Sequence, residues 1–176
     1  MIPLHLHSHW SLLVGVPSVG EIVEFAQASG LPALALTDTN ALYGAMEFVS
    51  ACRKAGIAPI IGAELTLTGG TFLVLLAQTM PGYSNLCRLV TRLQAAPDRE
   101  ATLARGLSLA DLAQHTTGLI ALSGGYRGPL DARLQEGHQP QAESIAHEMV
   151  NLFGQERFLI ELQIIQESDA ERLSPV

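Results

Sequence analysis

Short apolar segments alternate with segments of helical periodicity along this chain, and that alternation is the strongest constraint on its fold. Strands that are apolar on both faces are typical of a parallel sheet covered by helices on each side. The sequence therefore predicts an α/β fold, either a barrel or an open doubly wound sheet. Six segments are short and apolar enough to be strands: residues 2–6, 33–37, 58–62, 71–77, 119–122 and 158–163.

Helix signals separate most of these strands. Ser18 and Glu21 form a capping box, and Gly30 ends the helix that follows. Residues 94–106 are polar and are expected to form a loop or a frayed connection. No Gly-x-Gly-x-x-Gly or Walker motif follows a strand, which disfavours a nucleotide-binding sheet and leaves the barrel as the better alternative. Further helices are predicted at residues 43–55, 81–93, 108–111, 141–153 and 168–173.

Composition narrows the possible settings of the protein. Of its 176 residues 48% are apolar and 15% are charged, which suits one domain with a full core. Residues 65–87 carry no charge, but glycine and proline interrupt them, so a membrane span is not expected. The net charge of −7 repels phosphate backbones, so DNA is expected to be reached only through a larger protein. Cys52 and Cys87 share no motif, which favours a reduced, cytoplasmic setting.

Polar residues that can bind metals follow the first three predicted strands. His5 and His7 are two apart on a strand and therefore point to the same face, where both rings can reach one ion. Imidazole suits zinc, iron, manganese or nickel. Asp38 and Glu64 follow the next two strands. In barrels the carboxyl ends of the strands meet at one rim, so His5, His7 and Glu64 are expected to converge there, with His5 and Glu64 within about 12 Å.

Several other polar residues have two interpretations. His9 is either an additional ligand or a loop residue beside Trp10, and Asp38 is either an additional ligand or a helix cap. Residues 123–125, Ser-Gly-Gly, form either a phosphate cradle or a tight turn. Glu161 and Gln163 share one strand face and are interpreted as structural. The three remaining histidines have no partner nearby in sequence and are expected at the surface: His115, His138 and His147.

Four motifs connect these features to a known family. They are residues 4–8 (LHLHS), 30–38 (GLPALALTD), 42–48 (LYGAMEF) and 55–64 (AGIAPIIGAE), and weaker matches continue to residue 163. Together they resemble the PHP (polymerase and histidinol phosphatase) domain. The version that they resemble lies at the N-terminus of bacterial C-family DNA polymerases, the DNA polymerase III alpha subunits. The resemblance implies a distorted seven-stranded barrel with up to three metal ions at the strand ends. In active members this cluster hydrolyses phosphoesters or acts as a 3′–5′ exonuclease.

The resemblance carries over only part of the ligand set. His5 and His7 match the family's histidine pair, and Glu64 matches its bridging glutamate. Four other ligand positions hold residues that are not useful ligands, and the final Asp-x-His motif would lie beyond residue 176. The resemblance therefore implies a degenerate site for one divalent ion, zinc or manganese, or for none, and no residue is assigned as catalytic. The replaced positions are Val14, Thr39, Phe72 and Gly125.

Two functions follow from this comparison. The first is a mainly structural PHP domain of a polymerase III alpha-type enzyme for DNA replication or repair, with the rest of the polymerase and other replisome subunits as partners. The alternative is a metal-dependent phosphoesterase or exonuclease that uses His5, His7 and Glu64. Residues 1–176 are expected to form the front part of the barrel, with the last strand or strands missing. The exposed edges of such a sheet predict that the isolated chain self-associates.

Overall fold

A five-stranded sheet organises the chain in this computed structural model, which describes residues 2–163. The strands follow one another across the sheet in chain order. They are β1 Ala33–Leu36, β2 Ala58–Thr66, β3 Phe72–Ala77, β4 Leu119–Leu122 and β5 Phe158–Leu159. The helices are α1 Val19–Ala28, α2 Ala45–Ala55, α3 Met80–Gln94, α4 Arg99–Arg105, α5 Leu109–Ala113, α6 Pro129–Gln135 and α7 Gln139–Phe153. A 3₁₀ turn, Gly125–Arg127, follows β4.

The strand directions correct the expectation of a mostly parallel sheet. β1 pairs with β2 and β4 pairs with β5 in parallel, but both pairings of β3 are antiparallel. The reason is the short connection between β2 and β3, because a turn of a few residues reverses the chain whereas a parallel crossover needs a dozen or more. Gly69 and Gly70 adopt positive φ angles of 93° and 76° in that turn. The α/β class is confirmed, and the sheet is not closed within residues 2–163.

Residues 2–6 lie beside β1 without forming a regular strand, so the predicted first strand was wrong as a strand assignment. Pro3 and Leu6 accept backbone hydrogen bonds from Ala35 and Thr37, at 2.9 and 2.8 Å. The backbone N–H of Leu6 donates to the hydroxyl of Thr37 at 2.9 Å. Proline has no N–H to donate and a side chain takes the place of a carbonyl, so no continuous ladder forms. The segment is nevertheless held in an extended form.

The last predicted strand is also shorter than expected. β5 ends at Leu159, although the sequence pattern continued to residue 163. The next backbone donor, the N–H of Glu161, bonds to the hydroxyl of Ser123 at 3.0 Å. The side chain of Ser123 thus replaces the backbone partner that would have continued the ladder.

The helices agree with the predictions except in one region. The capping box of Ser18 and Glu21 starts α1 as predicted. The expected loop at residues 94–106 was wrong, since α4 forms there, with Asp98 accepting a hydrogen bond from the backbone of Ala101. The predicted helix at residues 168–173 lies outside the described residues. Within residues 2–163 no helix combines the length and apolar character needed to cross a membrane.

The two faces of the sheet carry different side chains, because neighbouring residues of a strand point to opposite sides. We call the face that packs against the helices the outer face; Leu65, Leu73 and Leu75 lie there in one cluster with Leu89 of α3 and Phe153 of α7. The inner face carries a second, smaller cluster. It contains Ala35, Val74, Leu76 and Leu122, with Leu4, Ile60 and Ile120 packed against it.

Candidate metal centre

His5, His7 and Glu64 meet on the inner face. The two histidines lie on the extended segment beside β1, and Glu64 is in β2, opposite Val74 of β3. One donor atom from each of the three residues lies within 4.8 Å of the others. The Nε2 atoms of His5 and His7 are 3.5 and 3.6 Å from the two carboxylate oxygens of Glu64. The predicted convergence of His5 and Glu64 within about 12 Å is confirmed.

The donor atoms of these residues are buried without hydrogen-bond partners. His5 Nε2, His7 Nε2 and Glu64 Oε1 have none among residues 2–163. Burying a polar atom without a partner costs free energy, so such atoms are uncommon in folded proteins. Imidazole nitrogen and carboxylate oxygen are ligands of zinc and related divalent ions. These residues therefore fit a metal ion by their chemistry and by their unused bonding capacity.

Glu161 orients His5. The Nδ1 atom of His5 lies 2.7 Å from Oε1 of Glu161, and the amide of Gln163 donates to the same oxygen at 2.7 Å. A carboxylate at Nδ1 favours the proton on that nitrogen, which leaves Nε2 directed towards Glu64. The sequence pattern indicated only a structural role for Glu161 and Gln163. Their separation of more than 150 residues from His5 left no local pattern that could reveal this contact.

Burial and neighbouring charges shift the pKa values of His5, His7 and Glu64. Burial acts to lower the pKa of His5, but the hydrogen bond to Glu161 and the nearby carboxylate of Glu64 outweigh it and raise the pKa to about 9. Burial lowers the pKa of His7. Burial acts to raise the pKa of Glu64, but contacts with His5 and Thr39 bring it below its usual value. A metal ion bound by His5 would therefore have to displace a proton near neutral pH.

The second oxygen of Glu64 is engaged by other residues. The hydroxyl of Thr39 donates to Oε2 at 2.8 Å, and Nη1 of Arg127 lies 3.5 Å from the same atom. The guanidinium of Arg127 stacks over the ring of Phe72, 3.8 Å from its centroid. Thr39 and Phe72 are two of the positions that the family resemblance marks as replaced ligands. Both act here through contacts with Glu64 or Arg127.

Asp38 supports the segment that carries His7. Its carboxylate accepts hydrogen bonds from the backbone N–H and hydroxyl of Ser8, at 2.7 and 2.8 Å, and from the hydroxyl of Ser11, at 2.6 Å. The side chain is 1% exposed. Helix α2 begins after Gly44 without a side-chain cap, so Asp38 does not cap it. Asp38 is not part of the three-residue group, although it anchors the residue next to His7.

His9 lies outside the group as well. The chain turns after Ser8, whose carbonyl accepts a hydrogen bond from the N–H of Ser11 at 2.9 Å. The alternation of side chains ends at this turn, so the ring of His9 is exposed and lies beside Trp10, with centroids 5.0 Å apart. The loop interpretation of His9 agrees with this position. His138 and His147 are exposed and His115 is half-buried.

The segment from Ser123 to Gly125 forms a tight turn that supports Glu161 and Gln163. Ser123 bonds to the backbone of Glu161, and a Cβ atom at Gly125 would lie 2.3 Å from the side chain of Gln163. A cavity of about 550 Å³ beside this turn brings together residues from both ends of the described chain. Val14 is exposed and lines this cavity. The cavity also contains His5, His7, Glu64, Arg127, Glu161 and Gln163.

Comparisons with known proteins agree with the fold. An error-prone DNA polymerase of Symbiobacterium thermophilum is 40% identical over 92% of this chain, which spans 16% of that protein. A DNA polymerase III subunit alpha of Caulobacter vibrioides is 35% identical over 92% of this chain and is matched over 15% of its length. A solved structure from Bifidobacterium adolescentis, named as a candidate metal-dependent phosphoesterase, shares the fold at a TM-score of 0.54 and 14% identity. That match covers 98% of this chain and 94% of the other.

The family model of the PHP domain matches residues 3–164, which is almost the whole chain. That match includes all three residues of the metal centre. Together with the observed geometry, it shows that the chain belongs to the PHP domain family.

Proposed function

We propose that this chain is the PHP domain of a larger DNA polymerase of the polymerase III alpha type, in which it acts mainly as a structural element. Two relatives that match 92% of this chain are named as DNA polymerases, and the chain spans only 15–16% of their length. A domain that makes up so small a share of a polymerase has the remainder of that chain as its nearest partner. Contacts with other replisome subunits, and with DNA through the larger protein, belong to the same proposal.

The observation that carries the proposal is the small number of metal ligands. The group of His, Cys, Asp and Glu donors found within residues 2–163 consists of His5, His7 and Glu64. Three protein ligands can hold one zinc ion with a fourth position open. A multinuclear cluster needs more donors, because several ions must share them. We therefore propose one divalent ion, zinc or manganese, at this centre.

The replaced positions favour a structural role over catalysis. Thr39 uses its hydroxyl to hold Glu64, and the ring of Phe72 packs against Arg127. Neither Val14 nor Gly125 has a side-chain donor atom. Thr39 and Phe72 therefore provide orientation and packing instead of metal ligands.

The residues of the chain have distinct parts in this centre. His5, His7 and Glu64 would hold the ion, Glu161 would orient His5, and Asp38 would anchor the segment of His7. A bound ion would supply Lewis-acid chemistry, lowering the pKa of water and polarising a phosphoryl oxygen. The second task of phosphoester hydrolysis, stabilising the leaving oxygen, has no second ion assigned to it.

The alternative is a metal-dependent phosphoesterase or 3′–5′ exonuclease. His5, His7 and Glu64, whose unpartnered atoms are buried, line a cavity of about 550 Å³, which has room for a phosphoester next to an ion. Arg127 in the same cavity carries a positive charge that suits an anionic substrate. These observations keep hydrolysis as the second candidate function.

Hydrolysis assays separate the two functions. We expect no release of p-nitrophenol from p-nitrophenyl phosphate, and no shortening of single-stranded DNA, when zinc or manganese is added to the purified chain. His7→Ala serves as the control, since it removes one of the three ligands. Activity that depends on the metal and disappears in His7→Ala would overturn the structural role in favour of the phosphoesterase. Equal inertness of the two proteins supports the proposal.

The exposed apolar residues near the N-terminus support a role within a larger assembly. Leu12, Leu13 and Val16 are each more than 80% exposed, and Trp10 lies beside exposed Tyr43 at 5.9 Å between ring centroids. Neighbouring exposed apolar side chains are typical of interaction surfaces. We expect the isolated chain to self-associate in light scattering, and a clean monomer at high concentration would contradict this part of the proposal. A reducing cytoplasm suits the free thiols of Cys52 and Cys87.

A further inference from the structure

The two oxygens of Glu64 have different surroundings. Oε1 faces His5 and has no hydrogen-bond partner among residues 2–163. Oε2 accepts a hydrogen bond from Thr39, and it lies 3.5 Å from the guanidinium of Arg127 and 3.6 Å from Nε2 of His7. A carboxylate that bridges two metal ions directs one oxygen to each of them. Here one oxygen is available to a metal ion, while a protein cation lies beside the other.

Arg127 is fixed in this position by its neighbours. It ends the 3₁₀ turn that follows β4, and its guanidinium stacks on Phe72, the first residue of β3. A guanidinium over an aromatic face is attracted by the ring and is held in a defined orientation. The Arg127 side chain is 30% exposed and the Glu64 side chain is 1% exposed, so solvent screens their attraction only in part. Phe72 thus holds the positive charge of Arg127 beside Glu64.

We propose that Arg127 is a built-in cation that takes the place of a second metal ion beside Oε2 of Glu64 and limits the centre to one ion. This inference rests on the proposed function, since it concerns the same three ligands. Arginine keeps its charge throughout the physiological pH range. It therefore neutralises part of the buried carboxylate whether or not metal is available. The same charge repels a divalent ion that approaches Oε2.

Metal-binding measurements on variants that either remove or keep the positive charge at position 127 test this role. The full chain and the variants Arg127→Met, Arg127→Lys and Thr39→Val are freed of metal and titrated with zinc chloride and manganese chloride by isothermal calorimetry. Methionine keeps an apolar stem over Phe72 without the charge, and lysine keeps the charge. Thr39→Val removes the hydroxyl that donates to Oε2 and leaves Arg127 in place, so it separates the loss of that hydrogen bond from the loss of the charge. Circular dichroism of each variant establishes that it is folded.

We expect one ion per chain for the original protein and Arg127→Lys. Thr39→Val should also bind one ion, but less tightly, because Glu64 loses the hydroxyl that holds it. Arg127→Met should bind a second ion, or bind the first at least about tenfold more tightly, because the repulsion is gone. Phe72→Leu provides a second test that leaves the charge in the chain, and its affinity should lie between those of the original protein and Arg127→Met. If Arg127→Met does not fold, Phe72→Leu decides the question.

Failure of this inference differs from failure of the proposed function. One ion that is lost in His7→Ala, with the same stoichiometry and affinity in Arg127→Met and the original protein, would overturn the role of Arg127 and leave the single-ion site intact. No binding in any variant would overturn the single-ion site and the inference with it. Binding that appears only in Arg127→Met would support Arg127 as the competing cation and overturn metal binding by the original chain.

Discussion

The outer and inner faces of the sheet differ in how their buried side chains are satisfied. On the outer face, leucines of β2 and β3 pack against α3 and α7, and the principal side chains there are fully buried and apolar. On the inner face, a small apolar cluster lies beside a polar centre in which Nε2 of His5, Nε2 of His7 and Oε1 of Glu64 are buried without hydrogen-bond partners within residues 2–163. The outer face lowers the free energy of the fold by excluding water. The inner face keeps costly groups in place, which is typical of a ligand site.

The largest expected effect is a difference in the free energy of unfolding between substitutions at two neighbouring leucines of β3, which point to opposite faces. Leu75 lies in the outer cluster, whereas Leu76 lines an inner cavity of about 410 Å³. Leu75→Ala should lower the free energy of unfolding by about 4 kcal/mol, through lost burial and a new cavity. Leu76→Ala should cost about 2 kcal/mol because its side chain borders space that is already present. Urea denaturation measures both, and equal losses would contradict the difference between the faces.

The second effect is the pH dependence of stability that His5 creates when a chelator removes metal. Its pKa is raised from 6.5 to about 9 in the folded chain. The contribution of its protonated form is therefore complete below pH 6.5 and is lost as the pH rises through about 9. The loss should be up to about 3 kcal/mol, since one pKa unit corresponds to about 1.4 kcal/mol. We expect urea denaturation between pH 6 and pH 10 to show this loss.

His5→Gln is the control for that experiment, because glutamine cannot take up the proton. The difference between the two proteins should shrink as the pH rises. A difference that is independent of pH would show that His5 does not gain its proton through Glu161 and Glu64.

A smaller effect on stability is expected from Asp38, which supports the segment that carries His7. Asp38→Asn keeps the shape of the side chain but removes the charge that accepts hydrogen bonds from Ser8 and Ser11. We expect a loss of about 2 kcal/mol in stability, because bonds to a charged acceptor are stronger than neutral ones. Zinc affinity should also fall, since Ser8 adjoins His7. Asp98→Asn is the matched control: Asp98 is an exposed helix cap, and asparagine caps equally well. Equal effects of the two substitutions would show that Asp38 does not support the segment that carries His7.

The sequence predicted those parts of the fold that have local signals. The capping box of Ser18 and Glu21 marked α1. The rule that strand ends meet at one rim of a barrel placed Glu64 beside His5 and His7, although Glu64 lies within β2, which extends to Thr66. The antiparallel direction of β3 was missed although Gly69 and Gly70 signalled a short turn, because the apolar strands suggested parallel neighbours. Helix α4 was missed although Asp98 is a typical cap.

The contacts that shape the centre could not be predicted in the same way. Arg127 is 63 residues from Glu64, and Glu161 is 156 residues from His5. Neither pair belongs to a repeating pattern, and both form only when distant parts of the chain meet in the fold. The convergence of His5, His7 and Glu64 was predicted because each lies at or just after the end of a predicted apolar segment. In contrast, Arg127 comes from the turn after β4, and Glu161 from the segment that follows β5.

The most direct test of the account is the location of a metal ion in a crystal of the full chain grown with zinc. Anomalous scattering at the zinc edge should show one peak, in contact with Nε2 of His5, Nε2 of His7 and Oε1 of Glu64. Arg127 should remain beside Oε2. No peak at these three residues, or a pair of peaks that share both oxygens of Glu64, would contradict a single-ion centre.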